Sequence, residues 1–455
     1  MPPQTDACME PALIHYNVTW AVRSVAIHFS TYLESHTAMR RPSKDSSHKL
    51  SADSARLVNF AQAVVQAASR IEERAWEHSL DTQLQKLLKT GHQDTIDSTL
   101  ASLFKEDLSA YDVLMDCVEA GSESVIVTRD DNGVAVPYCA LLVAVPVLAW
   151  TRFSIASGPV PADQLATLAA HFSAHLLAEG TLMAMAPTLF SIDQLPRSHV
   201  ETYTKTQKLA QAALKGTALK PATKAPETAP FLADTRYLLV AVLAPVGAPL
   251  FRWQAPDSQS NFIAERSAAL TQWRTQATPT IARLLPGCGI ELLLPEAYYV
   301  ACREADKLIR PVSIRAAVHY LTHTLAIEPA ELRAVIAGFG EEAADGQIDE
   351  YRVGFTLRQS PEVIYGIVWP LYGQEDEDGT PAEGLAGLTA VAGVPIDDIL
   401  KHLNAAGVTQ IKRHGERYVA EFCDDCGAPL FADPVGELVH AEMPEDTPQG
   451  SEHFH

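Results

Sequence analysis

Two long apolar segments constrain the fold more than any other feature of the sequence. Residues 137–151 read PYCALLVAVPVLAWT, and residues 237–253 read YLLVAVLAPVGAPLFRW. The first segment is shorter than the ~18 apolar residues that a membrane-spanning helix needs, and it contains an internal proline. Both segments are rich in Val, Leu and Ala, which is the composition of buried strands. They therefore predict buried strands rather than a membrane span.

Each apolar segment opens a stretch of similar organisation, which indicates an internal duplication. Helical patterns follow at 161–179 in the first stretch and at 262–285 in the second. A strand pattern comes next, TLMAMAPTLF in the first stretch and IELLLPEAYY in the second, and each is followed by a further helix. The alternative is convergence, since unrelated buried strands also use Val, Leu and Ala.

The flanking sequence adds helices before this region and strands after it. Ser51 is a helix-capping residue, and Gly91 is a typical helix-ending residue. The Asn132-Gly133 pair between two strand patterns predicts a hairpin with a type I′ turn. Three further strand patterns close the region, at 332–340, 350–358 and 363–372.

The sequence therefore predicts a mixed α/β protein with an N-terminal helical segment, two related α/β lobes and a small C-terminal module. A linker rich in Thr, Lys, Pro and Ala separates the lobes, and an acidic linker precedes the module. The predicted organisation is 1–38 non-native or disordered extension, 39–120 helical segment packing on lobe 1, 121–214 lobe 1, 215–233 linker, 234–373 lobe 2, 374–394 acidic linker, 395–446 zinc-ribbon-like module and 447–455 disordered tail.

Charge and cysteine content restrict the classes of partner and the compartment. The 455-residue chain carries 56 acidic and 35 basic side chains, a formal net charge of −21. This charge opposes broad attraction to nucleic acid or to an anionic membrane surface. Of the 7 cysteines, Cys423 and Cys426 alone are close in sequence, so a secreted disulfide framework is not expected. Without a signal-peptide pattern, we expect a cytoplasmic protein.

The strongest chemical motif is Cys423-Asp424-Asp425-Cys426-Gly427. Two thiolates at this spacing, followed by glycine, form the knuckle that wraps around a metal ion in zinc ribbons. His414 and His440 flank the motif and are the candidates for the two remaining ligands. The four residues predict a structural zinc site of the Cys₂His₂ type, in which zinc contributes folding energy.

Two other interpretations of the cysteine pair remain open at this point. A redox-active pair needs a low thiol pKa, which the carboxylates of Asp424 and Asp425 oppose. The cysteines are otherwise an inert thiol pair.

Other polar groups give weaker indications of a site. His171 and His175, with Glu179 one turn later, and the pair His319 and His323 have the spacing of a metal pair on one helix face. Satisfied or surface histidines also have this spacing. Polar residues collect at predicted strand ends, where α/β proteins bind ligands, although capping and salt bridging explain them better. They are Arg152, Ser157, Gly158, Asp193, Gln194, Arg197, Arg252, Glu296, Arg303, Glu304 and Asp306.

Several segments together resemble an uncharacterised bacterial family that is known only as a domain of unknown function. They are MRRPSK, LLVAVPVLAWTRFSIASGP, LFSIDQLPRSHVET, LLPGCGIELLLPEAYYVACREADKLIRP, VIYGIVWPLYG and EFCDDCGAPLFADPVGELVHAEMPED. The resemblance covers most of residues 39–446 and implies a start near Met39. It also implies that the cysteine knuckle is a family feature, but it supplies no activity or substrate.

Three functions follow as hypotheses, in decreasing order of support. The first is a non-enzymatic interaction or scaffold protein that binds an unidentified protein partner and carries a structural zinc module, since phosphate-loop, nucleophile-elbow and kinase motifs are absent. The second is an enzyme or small-molecule binder that uses a cleft between the two lobes. The third is nucleic-acid or ribosome contact through the module, for which Lys412, Arg413 and Arg417 are few basic residues.

Overall fold

The computed structural model describes residues 50–131, 134–220, 231–255, 261–340, 348–371, 395–424 and 426–444. The predicted N-terminal extension, the Asn-Gly turn, the acidic linker at 374–394 and the tail at 447–455 lie outside these residues.

The described residues form nine α-helices and fourteen strands in a mixed α/β arrangement. The helices are α1 (Ala52–Gln66), α2 (Arg70–Thr90), α3 (Gln93–Glu106), α4 (Leu108–Glu123), α5 (Ala162–Leu176), α6 (His199–Lys215), α7 (Phe262–Leu284), α8 (Tyr298–Leu325) and α9 (Pro395–Ala405). The strands are β1 (Ser124–Asp131), β2 (Val134–Trp150), β3 (Gly158–Pro159), β4 (Leu182–Met185), β5 (Thr188–Ser191), β6 (Ala233–Pro245), β7 (Gly289–Leu292), β8 (Glu296–Ala297), β9 (Leu332–Gly340), β10 (Glu350–Leu357), β11 (Val363–Pro370), β12 (Gln410–Val419), β13 (Phe431–Ala432) and β14 (Leu438–Val439).

The two apolar segments are neighbouring central strands of one large sheet. β2 and β6 pair antiparallel from Tyr138↔Pro245 to Trp150↔Ala233. β1 pairs with the first half of β2, and β7 and β8 pair with its second half. On the other side, β4 and β5 pair with β6, and β3 pairs with β5.

The two similar stretches exchange strands within this sheet. β4 follows β2 in the chain but pairs with β6, whereas β7 follows β6 but pairs with β2. The stretches therefore do not form two lobes with separate sheets, because each short strand completes the sheet beside the central strand of the other stretch. The internal duplication stays a prediction from the sequence.

Helices cover both faces of the large sheet. Alternate side chains of a strand point to opposite faces, so Leu142 and Leu239 pack with α1–α4, α6 and α8, whereas Val145 and Val240 pack with α5 and α7. On the second face, the rings of Phe172 and Trp273 meet edge to face with centroids 5.2 Å apart.

A second sheet has the strand order β11-β10-β9-β12. Its first three strands are antiparallel, and β12 joins β9 in parallel. The end of α8 and the apolar side of α9, with Ile399 and Leu403, cover this sheet. β12 belongs to the predicted C-terminal module at 395–446, so that module is joined to the preceding strands by backbone hydrogen bonds. No helix in the described ranges has an apolar stretch long enough to cross a bilayer.

Candidate metal centre

Three of the four predicted metal ligands come together after β12. The ligand atoms of Cys423, Cys426 and His440 all lie within 4.8 Å of one another. The Cys426 Sγ is 3.2 Å from the His440 Nε2. Two thiols and an imidazole at this separation match the donor types and the ligand distances of zinc.

The knuckle results from a tight turn that requires glycine. The Gly427 N–H donates to the Cys423 carbonyl at 2.8 Å, and the Cys423 N–H donates to the Ala428 carbonyl at 2.7 Å. Gly427 has a φ of +73°, a conformation that side chains with a Cβ rarely adopt. This turn brings the two cysteine side chains to one side of the chain.

His440 reaches the knuckle from a second hairpin, formed by β13 and β14. The turn of this hairpin is fixed by Asp433, whose Oδ1 accepts N–H bonds from Val435, Gly436 and Glu437 at 2.8, 2.8 and 2.9 Å. β14 ends at Val439, so His440 directly follows the last residue that the turn positions. The local sequence DPVGE thus determines where the third ligand lies.

A buried arginine attaches the knuckle to the second sheet. The Arg352 Nη1 donates to the carbonyls of Glu421 and Leu430, on either side of the knuckle, at 2.7 and 2.6 Å. The Arg352 Nε donates to Glu350 at 2.6 Å, and its guanidinium lies 4.3 Å from the centroid of the Phe339 ring. Arg352 is 1% exposed, so charge pairing and ring contact compensate for its desolvation.

β13 packs against the second sheet at a glycine, where no side chain separates the two. A Cβ added to Gly366 of β11 would lie 2.2 Å from the ring of Phe431. Phe431 itself is 4% exposed. The ring therefore occupies the space that a larger residue at position 366 would fill.

The structure does not bring His414 to the other three ligands. Its Nε2 lies 2.8 Å from the Asp433 carbonyl. A carbonyl oxygen only accepts, so this nitrogen carries the proton and donates. His414 thus binds the turn between β13 and β14, and the ligand group in the described part of the chain has three members.

In the described residues, neither of the two helical histidine pairs gains a further metal-ligating side chain. The rings of His171 and His175 on α5 are 6.0 Å apart, and those of His319 and His323 on α8 are 4.2 Å apart. Within the described ranges, neither pair belongs to a group of three metal-ligating side chains. Glu179 is exposed and is not part of such a group with the first pair.

Three of the polar residues at the strand ends, Arg152, Asp193 and Glu304, make local contacts. The Arg152 guanidinium lies 5.2 Å from the Phe153 ring centroid. The Asp193 carbonyl accepts from Arg197 at 3.3 Å, and Glu304 lies 4.0 Å from the Lys307 Nζ, one turn along α8. These are the capping and pairing roles that such residues have at strand-to-helix junctions.

The sequence did not predict a buried polar cluster between α4, α6 and α8. Arg303 donates to both carboxylate oxygens of Glu119, at 2.7 and 2.8 Å. Glu123 accepts from the Tyr299 N–H, and burial raises the pKa of Glu123 to about 8. Burial also lowers the pKa of His199 to about 4. The available signal was the four-residue spacing of Glu119 and Glu123 within α4.

Comparison with known proteins identifies the chain at the level of a family alone. A family model described as "Protein of unknown function (DUF2863)" matches residues 42–454. No curated protein matches the chain, and no solved structure does.

Proposed function

The chain belongs to the DUF2863 family, and we propose that it is a non-enzymatic interaction protein whose C-terminal hairpins form a structural zinc module. The observation that carries this proposal is the convergence of Cys423, Cys426 and His440, with ligand atoms within 4.8 Å of one another. Nothing else in the described residues forms a comparable group of metal-ligating side chains.

Zinc accounts for this group better than redox chemistry or inert thiols. A redox pair is typically placed at a helix N-terminus, which lowers the thiol pKa. The described residues after α9 contain no helix, and both cysteines lie in a turn between extended segments. Asp424 adds negative charge beside the two thiols, and a divalent cation offsets that charge.

The location of the module supports a role in binding a protein partner. The Cys426 side chain is exposed, and Val435, 75% exposed, lies in the turn of the β13–β14 hairpin. Both side chains are therefore accessible to a partner surface. We place the protein in the reducing cytoplasm, since no disulfide joins the six cysteines that the structure describes.

The two other functions have less support. A cleft between two lobes would need two separate cores, whereas β2 and β6 belong to one sheet. Contact with nucleic acid would need a basic surface, but the chain carries a net charge of −21 and the Lys412 ammonium is bound to the Pro434 carbonyl. The interaction protein therefore remains the proposal.

The test is metal analysis combined with partner capture, using the full chain. We expect about one zinc ion per chain in the wild type and none in a Cys423→Ser/Cys426→Ser variant. Cys288→Ser, which removes a half-buried thiol beside the large sheet, is the matched control and retains zinc.

Partner capture then tests the interaction. We expect the wild type and the Cys288→Ser control to retain the same partner from a lysate, and the double variant to lose it. Zinc retained by the double variant contradicts the metal site. Equal capture by the double variant contradicts the docking role.

A further inference from the structure

We infer that the zinc ion keeps one coordination position open, and that this position takes a neutral nitrogen donor, such as an imidazole, from outside the chain. The inference rests on the proposed zinc site and goes beyond its structural role. Zinc in proteins is typically four-coordinate, and a site with three protein ligands holds an exchangeable ligand in the fourth position. Here three ligand atoms converge in the described part of the chain.

His414, the natural fourth ligand by sequence, is held in another interaction. Its protonated Nε2 donates to the Asp433 carbonyl at 2.8 Å. Asp433 in turn is fixed by three N–H bonds to its Oδ1 and is 7% exposed. The His414 ring also meets the Tyr418 ring edge-on, with 6.1 Å between the ring centroids. His414 is not among the described side chains whose ligand atoms converge within 4.8 Å of one another.

The three ligands lie at the surface, where an external donor has access. Cys426 is exposed, Cys423 is half-buried, and the His440 side chain is 27% exposed. A structural zinc ion whose four protein ligands surround it offers no such access. The surroundings of this group therefore favour exchange at the fourth position.

The local charge selects the kind of donor. Two thiolates neutralise the charge of a zinc dication, so a further anion would make the complex negative. The Glu442 carboxylate is 3.3 Å from the His440 Nδ1, and Asp424 lies directly after Cys423. Like charges this close to one another repel. A neutral nitrogen donor avoids this repulsion, and the imidazole of a partner histidine is its side-chain example.

The experiment is absorption spectroscopy of the full chain loaded with Co²⁺, titrated with imidazole and separately with azide. We expect thiolate-to-cobalt charge-transfer bands in the free protein. Imidazole should then shift the ligand-field bands saturably while the charge-transfer bands persist. Azide, an anion of comparable size, should bind with an apparent dissociation constant at least about tenfold higher.

The cobalt spectra distinguish a chain that has no zinc site from a chain whose zinc site has no open coordination position. Absence of charge-transfer bands in the wild type means that the proposed metal site does not exist. Charge-transfer bands with ligand-field bands that do not respond to imidazole mean that the chain closes the shell itself, which overturns the open position. Azide binding more tightly than imidazole overturns the assigned class of donor.

A variant tests the histidines at the end of the chain, outside the described residues. His453→Ala/His455→Ala should give the same cobalt spectrum and the same imidazole titration as the wild type. If the wild type does not respond and this variant does, the C-terminal histidines close the shell, and the inference is wrong.

Discussion

The large sheet and the C-terminal hairpins achieve stability by different means. β2 and β6 are almost fully buried along their paired length, and two apolar clusters cover the opposite faces of their sheet. β13 and β14 have two residues each, and the apolar cluster beside them contains three buried residues, Ala337, Phe339 and Ala432. A hairpin of this size buries too little apolar surface to be stable alone.

This difference explains why the proposed metal ligands and a buried arginine occur where they do. The large sheet is stabilised by burial, at roughly 25 cal/mol per Å² of apolar surface. The hairpins need cross-links instead, and Arg352 and the three ligands each join segments that are distant in sequence. Small domains with little core commonly depend on metals in this way. Substitutions in the two regions should therefore have separable effects.

The largest effect is expected from Trp273→Ala in α7. Trp273 is fully buried between the large sheet and α5, so its truncation leaves a cavity and should cost about 3–5 kcal/mol of unfolding free energy. Zinc content should stay unchanged, because the residue belongs to the other region. Chemical denaturation and metal analysis of the same samples check both parts.

Trp76→Ala, at a half-buried tryptophan of α2, is the control, with a smaller expected loss of unfolding free energy. Loss of zinc from the Trp273 variant would show that the regions are not separable.

An intermediate effect is expected from Gly366→Ala in β11. The added methyl group would overlap the Phe431 ring and push β13 away from the sheet, at a cost of about 1–3 kcal/mol. Because His440 depends on the same hairpin, zinc affinity should fall as well, measured by competition with a chelator. Gly415→Ala in β12 is the matched control, since nothing lies within 4 Å of an added Cβ there. Equal behaviour of the two variants would contradict the role of Phe431 in docking.

The fold and the candidate site could be predicted from the sequence to different degrees. Apolar runs and capping residues predicted the mixed α/β class and most helices, including the helix that ends at Gly91. The family resemblance is confirmed by the match over residues 42–454. The exchange of β4 and β7 between the two stretches was not predictable, because pairing partners of short strands depend on tertiary contacts.

The candidate ligands show the same limit of prediction from sequence, here at single residues. Sequence spacing predicted that Cys423 and Cys426 lie together, since knuckle geometry is local, and it gave His440 as a candidate ligand, which the structure brings to the same group. It could not reveal that the Asp433 carbonyl engages His414, because that bond joins β12 to a turn 19 residues later. Likewise, no local pattern indicated that Arg352 binds the carbonyls flanking the knuckle.

The smallest effect, and the one that most sharply separates hydrogen bonding from metal binding, is expected from His414→Ala. The variant loses the bond to the Asp433 carbonyl, a cost of about 0.5–1.5 kcal/mol, while the three ligands remain in place. Zinc content should therefore equal that of the wild type, whereas His440→Ala should lose zinc. Metal analysis after dialysis against a weak chelator gives the comparison, and denaturation gives the stability change. If His414→Ala loses zinc as completely as His440→Ala, His414 is a fourth ligand and the module is a closed Cys₂His₂ site. Zinc retention would instead assign His414 to the turn of the β13–β14 hairpin and leave the fourth position to a donor from elsewhere.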